Sequence, residues 1–208
     1  MGTEGLELEL PKTFDEFVDA RKAAFLKVKE FKENGGKLVG FLCSYTPLEI
    51  MDAGGISSVA LCGTSNETVS DAELDLPKNL CPLIKATYGF AYTDKCPFTY
   101  FADMIIGETT CDGKKKMYEL LNDLKEMYVL HLPQSQERAY AKQIWAEELR
   151  LLKKRLEEKY NIEITNEQLR KAAHNRNRLR ELMCEMFESA ANEGNRNADY
   201  TSARYICL

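Results

Sequence analysis

Histidine is nearly absent from this chain: His131 and His174 are the only two in 208 residues. A zinc site of mixed thiolate and imidazole ligands therefore has little to draw on. No CxxC pair occurs either, so zinc ribbons and thioredoxin-like redox motifs are not indicated. No apolar run approaches the ~20 residues of a membrane-spanning helix, and no membrane is expected as a partner. The 28 lysines and arginines are mixed with 33 acids to a net charge of −5, without a basic stripe. Nucleic acid is accordingly not an expected partner. The opening MGTEGLELELPKTFDEF has no basic region followed by an apolar one, and YICL places its cysteine at the penultimate position, which is not a prenylation box. The expected location is the cytoplasm.

What the chain has is cysteine, seven residues of it. In a cytoplasmic protein these are reduced thiols, and an odd number suits no disulfide framework. Metal or redox chemistry is the leading use, with small buried inert thiols as the bland alternative. With 44% hydrophobic and 29% charged residues, a chain of this length buries roughly 70% of its unfolded surface and needs no staples to fold.

Hydrophobic periodicity organises the chain. Phe14, Phe17, Val18, Phe25, Val28 and Phe31 recur at helical spacing between a Thr13 N-cap, with Glu16 three residues on, and the Gly35-Gly36 stop. KLVGFL then reads as a buried strand, PLEIMDA as a helix opened by Pro47, and SSVALC as a second strand. A polar loop over 63–79 leads to a helix through LIKATYGFAY. DMIIG, KKKMYELLNDL and MYVLHLP follow as strand, helix and strand. That alternation predicts an α/β, Rossmann-like, mostly parallel sheet. Helical patterns continue through AKQIWAEELRLLKKRLEEKY and, from a start at Thr165 and Gln168, to about residue 190. We expect a sheet domain over 10–134, a helical extension over 135–192 and an irregular tail over 193–208.

On this map Cys43, Cys62 and Cys111 fall at or just beyond the carboxyl ends of strands, while Cys81 opens a helix. That edge of a parallel sheet is where ligands bind. Helix N-termini stabilise thiolates by ~0.3–1 kcal/mol. Asp112-Gly113 allows a tight turn whose amides would tune a cluster. Soft thiolates without nearby imidazole suit an iron–sulfur cluster better than zinc.

The stretches GFLCSYTPLEIMDAGG, NLCPLIKATYGFAYTDKCPFTYF, GETTCDGKKKMYELL and VLHLPQS resemble the 2-hydroxyacyl-CoA dehydratase D-component family, over about residues 13–190. That family includes benzoyl-CoA reductase subunits and double-cubane cluster proteins, and the likeness is strongest to the double-cubane branch. The resemblance implies an oxygen-sensitive [4Fe-4S] or double-cubane cluster, fed with single low-potential electrons by a separate ATP-hydrolysing iron–sulfur activator. It implies dehydration of (R)-2-hydroxyacyl-CoA through a ketyl radical, or reduction of a small molecule, in an anaerobe. By matching motif, Cys81 and Cys111 are the implied cluster ligands, with Cys43 beside them; Cys62 and Cys96 form a second tier whose alternative is a structural thiol.

Glu49, six residues after Cys43, is a candidate to move protons, as is Glu108; Ser44 and Tyr45 are candidates to hydrogen-bond substrate. Ordinary surface, capping or turn roles are the alternatives. Lys114, Lys115 and Lys116 would offset cluster charge or meet an acidic activator, at least one being a solvated face. The stripe of Trp145, Leu149, Leu152 and Leu156 is core or a seam. Cys184 and Cys207 match no ligand motif. Family members continue into a second α/β domain that completes the cluster, so a second subunit or a homodimer is the expected partner. The competing expectations are a truncated, metal-free, non-catalytic fragment and a zinc-binding structural module.

Overall fold

β3 (Met104–Glu108) is buried at all five positions, as a strand packed on both faces must be, and its near-continuous apolar run is what such burial requires. In the computed structural model, which describes residues 14–63 and 65–192, it pairs in parallel with β1 (Leu38–Phe41) and β4 (Met127–Leu130). On its far side β1 pairs in parallel with β2 (Ser57–Ala60), giving the order β2-β1-β3-β4. The expected α/β, Rossmann-like parallel sheet is the fold of this chain.

Side chains alternate across the sheet at the two-residue period of strands. Val39, Met104, Ile106 and Leu130 face one core; Ile105 faces the other, with Met127 and Val129 packed on it. The first core is closed by α2 (Leu48–Ala53), through Ile50 and Met51, and by α7 (Ala141–Tyr160), through Leu152 and Leu156. Trp145 and Leu149 pack against it, so the leucine stripe is core. The second core is closed by α3 (Val69–Ala72), α4 (Pro82–Tyr92) and α6 (Asp112–Leu124), through Ala72, Ile84, Tyr88, Met117, Tyr118 and Leu121. The short α3 lies inside the stretch expected as a loop, and α5 (Pro97–Phe101) follows Cys96.

α1 (Phe14–Glu33) precedes β1, and α8 (Asn166–Asn192) ends the described chain. The expected cap at Thr13, the tail over 193–208 and Cys207 lie outside the described residues. The start of α8 is the expected capping box: the Thr165 amide donates to Gln168 Oε1 at 2.7 Å, and the Gln168 amide donates to Thr165 Oγ1 at 3.2 Å. The described residues form two compact units, 28–172 and 14–27 with 173–192. In the second unit, α8 exposes Leu179, Leu182 and Phe187 and pairs Arg178 with Glu181. None of the described helices is long and apolar enough to cross a membrane.

Candidate functional site at the sheet switch point

From β1 the chain runs outward to β2 through α2 on one face, then returns across β1 to β3 through α3 and α4 on the other. Right-handed crossovers running in opposite directions must lie on opposite faces. The two directions part between β1 and β3, and the carboxyl ends of those strands open a crevice there. Cys43 follows β1 by two residues and Cys111 follows β3 by three.

Cys43 is exposed and has φ of 82°, a left-handed conformation that non-glycine residues seldom adopt. Strain of this kind clusters at functional sites. Cys111 is the N-cap residue of α6, partly buried against the second core, and makes no side-chain cap bond. Cys81 stands in the same position on α4, exposed and likewise without a cap bond. Both sulfurs are thus at the positive end of a helix and are not used in capping it.

Gly113 brings the two helix starts together. A Cβ there would lie 2.7 Å from Ile84 Cδ1, 3.1 Å from Leu80 Cδ1 and 3.9 Å from the Cys111 sulfur. Leu80 and Ile84 flank Cys81, so the α4 start rests on the first turn of α6. Cys43 reaches that same turn through Lys114, whose Nζ donates to the Cys43 sulfur at 2.8 Å. The first turn of α6 thus follows Cys111, contacts Cys43 through Lys114, and packs on Leu80 and Ile84 around Cys81.

The second-tier cysteines are placed differently. Cys62 is exposed two residues beyond β2, and the amide next to it, on Gly63, donates to Thr87 Oγ1 at 2.9 Å. Cys96 caps α5, its sulfur accepting from the Thr99 amide at 3.5 Å, and it packs on the second core. Cys184 is exposed on α8, in the other compact unit.

The three consecutive lysines separate by helical phase. Lys115 pairs with Asp112 at 2.6 Å and Lys116 with Glu119 at 3.0 Å, both on the solvated side. Lys114 turns inward, with 16% of its side chain exposed, and lies 3.8 Å from a carboxylate oxygen of Glu108. Glu108 is fully buried, accepting from the Thr110 hydroxyl at 2.6 Å and its amide at 3.2 Å. Burial opposes the charge on Lys114, but the bond to Cys43 and the nearby Tyr118 and Glu108 outweigh it and hold the ammonium above its ordinary range. Tyr118, bonded to the Glu108 backbone, is pushed up to about 12, chiefly by burial.

Ser44 is exposed beside Cys43, and Glu49 is half-buried in the first turn of α2. Between them Thr46 is 5% exposed and its hydroxyl has no hydrogen-bond partner. Beside the loops that carry Cys43 and Cys111, an open cleft of about 1130 Å³ is bordered by Tyr45, Thr110, Lys115, His131, Gln134 and Trp145. Among the described residues, no three His, Cys, Asp or Glu side chains form a group able to hold a metal ion.

Residues 43–200 match the family described as 2-hydroxyglutaryl-CoA dehydratase, D-component. The chain belongs to that family. Among curated proteins it is 47% identical over 182 residues, 88% of its own length, to the "Putative dehydratase subunit YjiM" of Escherichia coli (strain K12), of which this covers 48%. It is 26% identical over 163 residues, 76% of its length, to the lactoyl-CoA dehydratase subunit beta of Anaerotignum propionicum, covering 42% of that protein. The chain thus spans about half the length of these dehydratase subunits. The match begins at Cys43 itself and takes in every thiol placed on the sheet edge.

Proposed function

We propose that this chain is the cysteine-bearing subunit or segment of an iron–sulfur dehydratase, in which Cys43, Cys81 and Cys111 hold the cluster. The reading is supported chiefly by one observation: Cys111 caps α6, Lys114 on the next turn bonds the Cys43 sulfur, and Leu80 and Ile84 around Cys81 pack on Gly113 of that same turn. The donor set fits such a group. Its ligands are soft sulfurs, two of them at helix N-termini. The unpartnered Thr46 hydroxyl beside the Cys43 loop supports the same reading, since a buried polar atom without a partner is uncommon.

When bound, the cluster would supply single low-potential electrons received from an ATP-hydrolysing iron–sulfur activator. The chain's own residues do the rest. The α4 and α6 amide ends stabilise negative charge on the sulfurs, and Lys114 adds a full positive charge beside Cys43. Glu49 and Ser44, on the loop and helix leaving β1, would move a proton and bind the substrate oxygen. Dehydration of a 2-hydroxyacyl-CoA is the leading reaction, and reduction of a small molecule by a double-cubane cluster is the alternative chemistry. Because the chain spans about half of its relatives, substrate turnover would require a second subunit, a second copy or further chain, whereas the three thiols hold the cluster on this chain itself.

Anaerobic reconstitution tests the reading. Cys81→Ser and Cys111→Ser should each lose most of the iron, acid-labile sulfide and visible absorbance that the parent chain takes up, while Cys184→Ser should keep them. Equal uptake in all three variants would refute the ligand assignment. Zinc at one equivalent without sulfide would favour the structural-zinc reading, and a folded chain binding no metal would favour a non-catalytic fragment.

A further inference from the structure

Building on the cluster reading above, we propose that Lys114 is a potential-setting residue: a fixed cation, held against the Cys43 sulfur by the buried Glu108, that makes the bound cluster easier to reduce. The observation is a chain of three side chains. Glu108 ends β3 fully buried, Lys114 stands 3.8 Å from its carboxylate, and the same Nζ donates to Cys43 at 2.8 Å.

Helical phase determines which lysine takes this place. The inward face of α6 carries Met117, Tyr118 and Leu121, all buried. Residue 114 lies three, four and seven positions before them and so shares their face. Lys115 and Lys116 are directed elsewhere and already pair with Asp112 and Glu119. An exposed charge of that kind is screened by water and salt. Lys114 is largely withdrawn from solvent, where its field acts at higher strength.

A buried ammonium is costly without a counter-charge, and Glu108 supplies it. Glu108 is itself fixed by the Thr110 hydroxyl and amide. The cation is therefore pinned rather than swinging on a flexible stem. Charge and hydrogen bonds to sulfur are recognised determinants of cluster potential. Reduction adds one electron, here from dithionite, and so makes the cluster more negative with no bond formed or broken. A cation at the sulfur stabilises that reduced state more than the oxidised one.

The experiment is a dithionite titration followed by electron paramagnetic resonance on the anaerobically reconstituted 208-residue chain, with iron and sulfide measured in each sample. Lys114→Met should keep the cluster but lower its reduced-to-oxidised ratio at a fixed poise by about tenfold, a shift of 59 mV for one electron. Lys114→Gln, which keeps a donor without the charge, should fall similarly, and Lys114→Arg should stay near the parent. Lys116→Met, with the same net-charge change on the solvated side, should not move the midpoint. Full clusters with an unmoved midpoint in both Lys114→Met and Lys114→Gln would overturn this inference alone, as would an equal shift in Lys116→Met. A parent chain that takes up neither iron nor sulfide would overturn the cluster reading and this inference with it.

Discussion

Ile84 Cδ1 stands 2.7 Å from the point where a Cβ on Gly113 would sit, closer than side-chain carbons approach one another. The start of α4 thus rests directly on the backbone of α6, and the residues bearing Cys81 and Cys111 are in register because position 113 has no side chain.

That contact predicts the outcome of Gly113→Ala. A helical glycine replaced by alanine ordinarily gains up to about 1 kcal/mol from propensity. Here the added methyl must displace Ile84, which is 4% exposed within the second core. Overpacking of this kind costs about 1–3 kcal/mol. The net expectation is a loss of about 1 kcal/mol, seen as a lower urea midpoint at unchanged m-value. A more stable variant would show that Ile84 and Leu80 yield freely and that the two helix starts are not locked together.

At the opposite edge of the sheet, Asp103 joins three elements. It accepts from Lys32 Nζ at 2.6 Å, from the Leu38 amide at 2.9 Å and from the Tyr160 hydroxyl at 3.1 Å. Burial alone would raise its pKa, but these donors outweigh it and hold the carboxyl below the usual range. The unfolded chain, with an ordinary value near ~3.9, then takes up the proton before the folded chain does. The stabilisation is complete above that value and is lost as pH falls through the lower, folded one. Asp103→Asn should be less stable at pH 7, by about 1–3 kcal/mol for the partners left unmatched. It should also show a shallower loss of stability in urea melts from pH 5 to pH 3. Parallel pH profiles for parent and variant would refute the role given to this carboxylate.

Much of this architecture was legible because each strand is a short apolar run bounded by turn residues, and because Cys43, Cys62, Cys81 and Cys111 fall at their expected places along the chain. The Thr165–Gln168 cap was legible too, since a reciprocal pair three residues apart has one economical use. α3 and α5 were not, because four or five residues carry no measurable period. The inward turn of Lys114 has a signal too: three consecutive lysines look alike until the phase of Met117, Tyr118 and Leu121 is projected back onto them. The burial of Glu108 had no such signal. It depends on Thr110 folding back beneath the strand end and on a cation from the following helix. The bond that occupies the Cys96 sulfur likewise depends on the short helix it caps.

The strand order also sets a timetable for folding. Leu38 pairs with Ser57 and Ile105 with Met127 across modest separations, whereas the β1–β3 pairing joins Val39 to Met104. Contacts between distant segments form late, because the intervening chain must be closed before they are rewarded. In pulsed hydrogen exchange during refolding, the Leu61 and Ile105 amides, bonded to Phe41 and Glu126, should be protected before the Leu42 amide, bonded to Ile106. Simultaneous protection of all three would refute this order. The central seam closes last, so the strand ends that carry Cys43 and Cys111 come side by side only when the sheet is otherwise built, and any cofactor shared between them must enter a nearly finished protein.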